Sequence, residues 1–270
     1  MDILYADTET YSPTPIKNGH YRYAEEVEVM LFAYAFNDGE VGVVDFTEGE
    51  MLPKKVADAL TDPKYLKVFH NSAFDRTVIR SDLGIDIPVN QINDTMVQAL
   101  SHGMPGSLDK LCGVLGVSLE QAKSDTGKNL IQLFCKPTPK NWKIRRATKE
   151  THPEEWKQFI KCAGTDITAM RVIHKKMPTW NYRFLDPENM KNDLAPGEYE
   201  HILWQLDQKI NDRGFLVDVD LAEKAVMAVK KRQKILARKT DEITHGDVEK
   251  ATQRDKLLLH ICEYYGVERS

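Results

Sequence analysis

The sequence has few cysteines, and they do not stand in a metal-binding or disulfide pattern. Its 4 cysteines, Cys112, Cys135, Cys162 and Cys262, are scattered over 270 residues. The absence of a Cys-x-x-Cys pair and of a nearby histidine pattern argues against a zinc site and against a disulfide framework. The cysteine usage therefore predicts a reducing, cytosolic compartment.

Long apolar runs and an excess of positive charge are also missing. No run of apolar residues is long enough to cross a membrane, and residues 1–30 carry no basic-then-apolar leader, so we expect a soluble protein without membrane contact. With 37 basic and 41 acidic side chains, the net charge is −4. Since no global positive field attracts a polyanion, any contact with nucleic acid must come from local patches.

Short β-rich runs and helical patterns succeed one another in the first half of the chain. Apolar runs at 2–7, 29–36 and 41–46 predict three strands, and the run 37–40 between the latter two is a hairpin signal. Another buried strand is expected at 65–70, with helical patterns on both sides of it. These runs predict an α/β fold with a mixed sheet flanked by helices.

Helical periodicity dominates the later part of the chain. The longest pattern, 153–175, places its apolar residues on roughly one stripe. Residues 181–197 are rich in Pro, Asn and Asp and are interpreted as a linker. They would separate a domain at 1–180 from a helical region at 198–270, which shows no core of its own and is interpreted as incomplete.

Acidic side chains fall at the ends or on the inner faces of three predicted elements. Asp7 and Glu9 end the first strand, where residues two apart point to the same face. Asp75 follows the buried strand at the start of a helix, and Asp166 lies on or beside the apolar stripe of the longest helix. Carboxylates crowded together repel one another unless cations neutralise them. Hard divalent ions, Mg²⁺ or Mn²⁺, are the natural partners of such an all-oxygen set.

Two divalent ions about 4 Å apart suit the in-line attack of water on a phosphodiester. One ion activates the nucleophile and the other stabilises the leaving oxygen. The carboxylates therefore predict a two-metal phosphodiester hydrolase.

The same residues resemble the motifs of the DEDD-type 3′-to-5′ exonucleases, in the form carried by bacteriophage-type family A DNA polymerases. The pair Asp7 and Glu9 matches the first motif of that family, Asn71–Asp75 (Asn-x-x-Phe-Asp) the second, and Asp166 the third. The order and the wide spacing agree as well. The resemblance covers roughly the first 175 residues and, more weakly, the last 73.

This resemblance implies an RNase H-like mixed sheet of about five strands, followed by the beginning of a polymerase thumb-like helical region. It implies a proofreading exonuclease that releases nucleoside monophosphates from a single-stranded DNA 3′ end or primer terminus. The four carboxylates would bind two Mg²⁺ or Mn²⁺ ions. The remainder of a polymerase would be its partner, and we expect a monomer in the cytoplasm, that of the host cell if the gene belongs to a phage.

One position departs from the family pattern. The polymerase branch has a Tyr four residues before the last Asp, which orients the attacking water, and another branch has a His five residues before it. Here Cys162 and Lys161 stand at those positions. Since a thiol is shorter than a phenol and a poor hydrogen-bond donor, we expect a slow or modified exonuclease, with Lys161 or another residue taking part of the role.

A local excess of basic residues marks the best candidate for a nucleic-acid contact. The run 123–149 has eight basic residues against one acidic residue, and it contains a tryptophan that could stack on an unpaired base. An ordinary solvated basic loop is the alternative. The candidate nucleic-acid-binding residues are Asn71, Phe74, Lys136, Lys140, Trp142, Lys143, Arg145 and Arg146.

Two other functions stay open from the sequence. A non-catalytic DNA-binding or structural module could keep the fold, although retention of four crowded acids argues against it. A 3′-5′ RNA exonuclease of the same superfamily could carry the same site. The polymerase-like residues after 198 argue against that second alternative.

Overall fold

The computed structural model describes residues 1–117, 125–138, 141, 146–178, 180 and 198–266. By the contacts between its residues the chain divides into two compact units, Met1–Asp212 and Arg213–Ser270.

A mixed five-stranded sheet forms the centre of the first unit. Its strands are β1 (Asp2–Tyr11), β2 (Glu28–Phe36), β3 (Gly42–Asp45), β4 (Tyr65–Phe69) and β5 (Ile92–Asp94). Their order across the sheet is β3-β2-β1-β4-β5; β2 is antiparallel to β1 and to β3, whereas β4 is parallel to β1 and to β5. The expected RNase H-like mixed sheet is confirmed, and the predicted hairpin connects β2 and β3.

Helices follow the strands along the chain. Within the described residues the α-helices are α1 (His20–Ala24), α2 (Lys54–Thr61), α3 (Ser72–Val78), α4 (Thr95–Ser101), α5 (Leu108–Val114), α6 (Asp125–Phe134), α7 (Pro153–Lys176), α8 (Glu198–Arg213), α9 (Val219–Ile243) and α10 (Arg254–Tyr265). A π-helical turn, Ile79–Leu83, continues α3. Short 3-10 turns occur at Ile16–Asn18, Phe46–Glu48 and Val89–Gln91.

Helix α7 forms where the sequence predicts it and has the end signals of a stable helix. Proline stands in its first turn beside two glutamates, and two lysines and a histidine stand in its last turn, which complements the helix dipole. Its apolar stripe packs on one face of the sheet, against residues of β1, β2 and β4. The buried side chains of that stripe include Trp156, Phe159, Ala163, Ile167 and Met170.

The alternation of side chains along β1 decides which helix each residue meets. Tyr5 belongs to the core under α7, whereas Ala6 belongs to the core on the opposite face of the sheet. Because side chains alternate, Asp7 and Glu9 lie on the side of α7, and Thr8 lies on the other side. This alternation sets the geometry of the candidate site.

The first unit extends past the predicted domain boundary. The predicted linker at 181–197 lies outside the described residues, and α8, expected in the second region, groups with the first unit. Its Trp204 packs into the core on the face of the sheet opposite α7, and Asp212 pairs with Arg76 of α3. The contacts of α8 therefore group it with the sheet and with α3.

The second unit contains α9 and α10. Thr244 and Val248 are buried in the turn that follows α9. The Thr244 hydroxyl donates hydrogen bonds to the backbone carbonyls of Thr240 and Val248. Many apolar side chains of α9 are exposed.

Among the described helices we find none with the combination of length and hydropathy that a membrane crossing requires.

Candidate active site

Three acidic side chains converge between β1 and α7. Asp7 and Glu9 come from β1, and Asp166 comes from α7. One carboxylate oxygen from each lies within 4.8 Å of the other two. A shift in the pairing of β1 with β2 occurs just after Glu9, and such a bulge increases the local twist and re-aims side chains.

The fourth predicted acid, Asp75, lies beside this group and is held by Thr8. Its Oδ1 accepts a hydrogen bond of 2.6 Å from the Thr8 hydroxyl and one of 3.1 Å from the Thr8 backbone N–H. Asp75 is buried, with 3% of its surface exposed. Thr8 thus ties α3 to the strand that carries Asp7 and Glu9.

The beginning of α3 is fixed by a second acid, which the sequence reasoning did not assign to the site. Asp94 accepts hydrogen bonds from the backbone N–H groups of Asn71 and Ser72, at 3.1 and 2.7 Å, and from the Ser72 hydroxyl at 2.7 Å. Asn71 takes a left-handed conformation there, with φ of 77°, and its side chain is exposed. These bonds set the direction in which α3 starts, and with it the place of Asp75.

The carboxylates destabilise one another's charged forms. Burial raises the pKa of Asp7 well above its usual range, and the charges of Asp75, Glu9 and Asp166 raise it further. Burial also raises the pKa of Asp75 to about 7, against the lowering effect of the hydrogen bonds from Thr8. A divalent cation would relieve this repulsion, and an all-oxygen donor set fits a hard ion such as Mg²⁺.

An open cavity of about 590 Å³ adjoins the carboxylates, and Glu9 forms part of its wall. Phe74, a predicted nucleic-acid contact, lines it beside Tyr23, with ring centroids 5.6 Å apart. The Tyr23 hydroxyl bonds the Thr10 hydroxyl at 2.9 Å. The other lining residues are Thr8, Thr10, Ser12, Thr14, Pro15, Ile16, Lys17, Ile131, Gln132, Cys135, Lys136 and Pro137.

Two lysines supply the positive charge of this cavity. Lys136, predicted as a phosphate contact, follows the C-terminal end of α6. Its Nζ donates a hydrogen bond to Gln132 Oε1 at 2.8 Å. Lys17, which sequence reasoning did not single out, also lines the cavity. A single basic residue in a loop gives no pattern from which its place at the site could be found.

Cys135 is another site residue that the sequence analysis missed. Its Sγ donates a hydrogen bond to Glu9 Oε2 at 3.7 Å. Burial raises the pKa of the Cys135 thiol well above its ordinary value, and the Glu9 carboxylate raises it further.

Cys162 lies one helical turn before Asp166 on α7, so the two residues share a face of the helix. Its side chain is partly buried against the core beneath β1, whereas the Lys161 side chain is exposed. Of Lys161 and Cys162, only Cys162 lies on the same face of α7 as Asp166.

Of the remaining predicted nucleic-acid contacts, the described residues Asn71 and Arg146 do not line the cavity. Arg146 donates two hydrogen bonds to Glu28, of 2.6 and 2.9 Å, and stacks over the Tyr11 ring at 3.9 Å. These contacts occupy its guanidinium group. Lys140, Trp142, Lys143 and Arg145 lie outside the described residues.

Residues 3–178 match the model of a protein family described as 3′-5′ exonuclease. The DNA polymerase of Bacillus phage SP02 is 36% identical over 250 residues, which cover 90% of this chain and 36% of that polymerase. The chain therefore spans little more than a third of its relative's length.

Solved nuclease structures are also similar to the chain. Brucella melitensis NrnC bound to pGG is 14% identical, and the match covers 78% of this chain and 85% of that chain with a TM-score of 0.45. Trypanosoma brucei RNase D in complex with RNA U12 is 12% identical, with coverage of 77% and 62% and a TM-score of 0.46.

Proposed function

Because the chain belongs to the 3′-5′ exonuclease family, we propose that it removes nucleoside monophosphates one at a time from the 3′ end of single-stranded DNA. One observation carries this proposal: carboxylate oxygens of Asp7, Glu9 and Asp166 lie within 4.8 Å of one another beside an open cavity. Such an arrangement suits the hydrolysis of a phosphodiester that enters through the cavity.

In this proposal the carboxylates hold two Mg²⁺ or Mn²⁺ ions. Asp7, Glu9, Asp75 and Asp166 would be the ligands. When bound, the ions would supply an activated water and stabilise the leaving oxygen. The Thr8 and Asp94 hydrogen bonds keep β1 and α3 in place, so the ligands need little rearrangement.

In this proposal the cavity binds the terminal nucleotide of the DNA strand. Phe74 and Tyr23 offer an aromatic wall for a base or sugar, and base stacking on such rings tolerates any sequence. Lys17 and Lys136, which line the cavity, would attract the backbone phosphates. An unpaired 3′ end can enter such a cavity without a complementary strand, and we therefore propose a preference for single strands.

The similarity to a phage DNA polymerase supports a wider role. We infer that the natural context is a larger polymerase, in which this part removes misincorporated nucleotides from the primer terminus. A phage-encoded member would act in the cytoplasm of the host cell, and we propose that it does so as a monomer.

The assay that tests the function follows a 5′-labelled single-stranded DNA in Mg²⁺ or Mn²⁺. We expect a ladder of products, each one nucleotide shorter than the last, that stops when EDTA removes the ions and resumes when Mg²⁺ is added in excess. An RNA of the same sequence, tested in parallel, separates a DNA exonuclease from an RNA exonuclease. Shortening no faster than that by an Asp7→Ala variant would leave the chain as a non-catalytic module.

Cys162 permits a gain-of-function test. The variant Cys162→Tyr should raise the turnover rate about 10-fold. It places a tyrosine one helical turn before Asp166, and its phenol hydroxyl could orient the attacking water. The matched control is Cys162→Phe, which adds the ring without the hydroxyl. Equal rates for the Tyr and Phe variants would show that the hydroxyl has no such role.

A further inference from the structure

The Glu9 carboxylate accepts a hydrogen bond from a side chain that belongs neither to β1 nor to α7. The Cys135 thiol, which follows the last residue of α6, donates to Glu9 Oε2 over 3.7 Å. Cys135 and Glu9 are 126 residues apart in the sequence and share the wall of the cavity.

The sulfur is held in place by rigid surroundings. The Cys135 backbone N–H bonds the Ile131 carbonyl at 3.0 Å, which continues the helical hydrogen-bond pattern of α6. Its neighbour Phe134 is fully buried and stacks on Phe159 of α7, with ring centroids 5.3 Å apart. The thiol is therefore fixed relative to the helix that carries Asp166.

Glu9 needs such a contact more than the aspartates do. A glutamate has one more rotatable bond than an aspartate, and rotation of its terminal carboxylate is weakly restricted. Glu9 also borders the bulge in β1, where the regular pairing with β2 shifts. A donor to one of its oxygens limits this rotation and leaves other lone pairs for an ion, since a carboxylate can accept about four hydrogen bonds or ligand contacts.

We propose that Cys135 is a positioning residue, whose thiol holds the Glu9 carboxylate in the orientation that binds a divalent ion. This inference rests on the proposed function, because it assumes that Glu9 is a metal ligand. The thiol acts through Glu9 and is not itself a ligand, since hard ions such as Mg²⁺ and Mn²⁺ prefer oxygen.

The test measures Mn²⁺ binding without substrate, by electron paramagnetic resonance of the free ion. Cys135→Ala should weaken binding about tenfold, at the low end of the effect of residues that orient metal ligands, because a thiol is a weak donor. Cys135→Ser keeps a donor on a shorter side chain and should recover at least half of that loss on a logarithmic scale. The control is Cys262→Ala, a cysteine of the second unit, which should bind Mn²⁺ as the wild-type protein does.

The outcomes separate this inference from the proposed function. Wild-type affinity in Cys135→Ala, or equal losses in the Ala and Ser variants, would overturn the positioning role while leaving the metal site intact. If the wild-type protein bound no more Mn²⁺ than an Asp7→Ala variant, the metal site itself would be refuted, and the role of Cys135 with it.

Discussion

Replacing Asp7 with alanine is expected to lower the exonuclease rate about 1,000-fold, the scale on which removal of a single transition-state-stabilising group acts. Asp7 is the acid on which the charges of Asp75, Glu9 and Asp166 all act. Its loss should therefore empty the site of metal more completely than the loss of a peripheral group. The measurement is the initial rate on single-stranded DNA at several Mg²⁺ concentrations.

The Asp7→Ala protein should remain folded, which separates lost chemistry from lost structure. Burial and three neighbouring acids disfavour the Asp7 charge, so without divalent ions the variant should unfold at the same or a higher denaturant concentration than the wild type. Asp2→Ala is a matched control, because Asp2 is an exposed residue on the same strand. A rate loss below tenfold at low Mg²⁺, or a comparable loss in Asp2→Ala, would contradict the role assigned to Asp7.

The second large effect concerns stability. Asp212→Ala should destabilise the first unit by about 3 kcal/mol, because it leaves a buried guanidinium without its partner. Arg76, whose side chain is 4% exposed, donates to both carboxylate oxygens of Asp212, at 2.6 and 3.0 Å. The Tyr21 hydroxyl donates to the same carboxylate at 2.8 Å. Burial would raise the pKa of Asp212, but the hydrogen bonds from Arg76 and Tyr21 lower it overall, as expected for a carboxylate held in its charged form.

Denaturant unfolding at neutral pH, followed by a probe of the first unit, measures this effect. Asp207→Ala is the control, because Asp207 is an exposed acid of the same helix. A double variant, Arg76→Met with Asp212→Leu, should recover most of the lost stability, since it removes the buried charge together with its partner. A loss below 1 kcal/mol for Asp212→Ala would mean that solvent screens the pair.

The same ion pair bears on where the exonuclease region ends. The family model covers residues up to 178, whereas the partner of Arg76 is at position 212. Arg76 directly follows Asp75 in α3, so the contact with α8 supports the helix that delivers one of the predicted catalytic acids. A chain truncated after residue 180 should lose at least as much stability as Asp212→Ala, because it also loses Trp204 from the core.

Local periodicity of the sequence was enough to determine the type of sheet and the faces on which three of the four acids lie. Alternation along β1 predicts that Asp7 and Glu9 point the same way, and the apolar stripe of α7 predicts that Asp166 lies near the buried face. Both regularities depend on residues close together in the chain. The mixed sheet follows for the same reason, from short apolar runs and a hairpin signal.

The tertiary structure alone decided how these elements complete the site. It brought Asp75 to Thr8, Cys135 to Glu9 and Asp212 to Arg76. These pairs are separated by 67, 126 and 136 residues, and no spacing rule connects them. Their contacts arise from the packing of α3, α6 and α8 on the sheet, because packing and not chain proximity determines which side chains of separate elements meet.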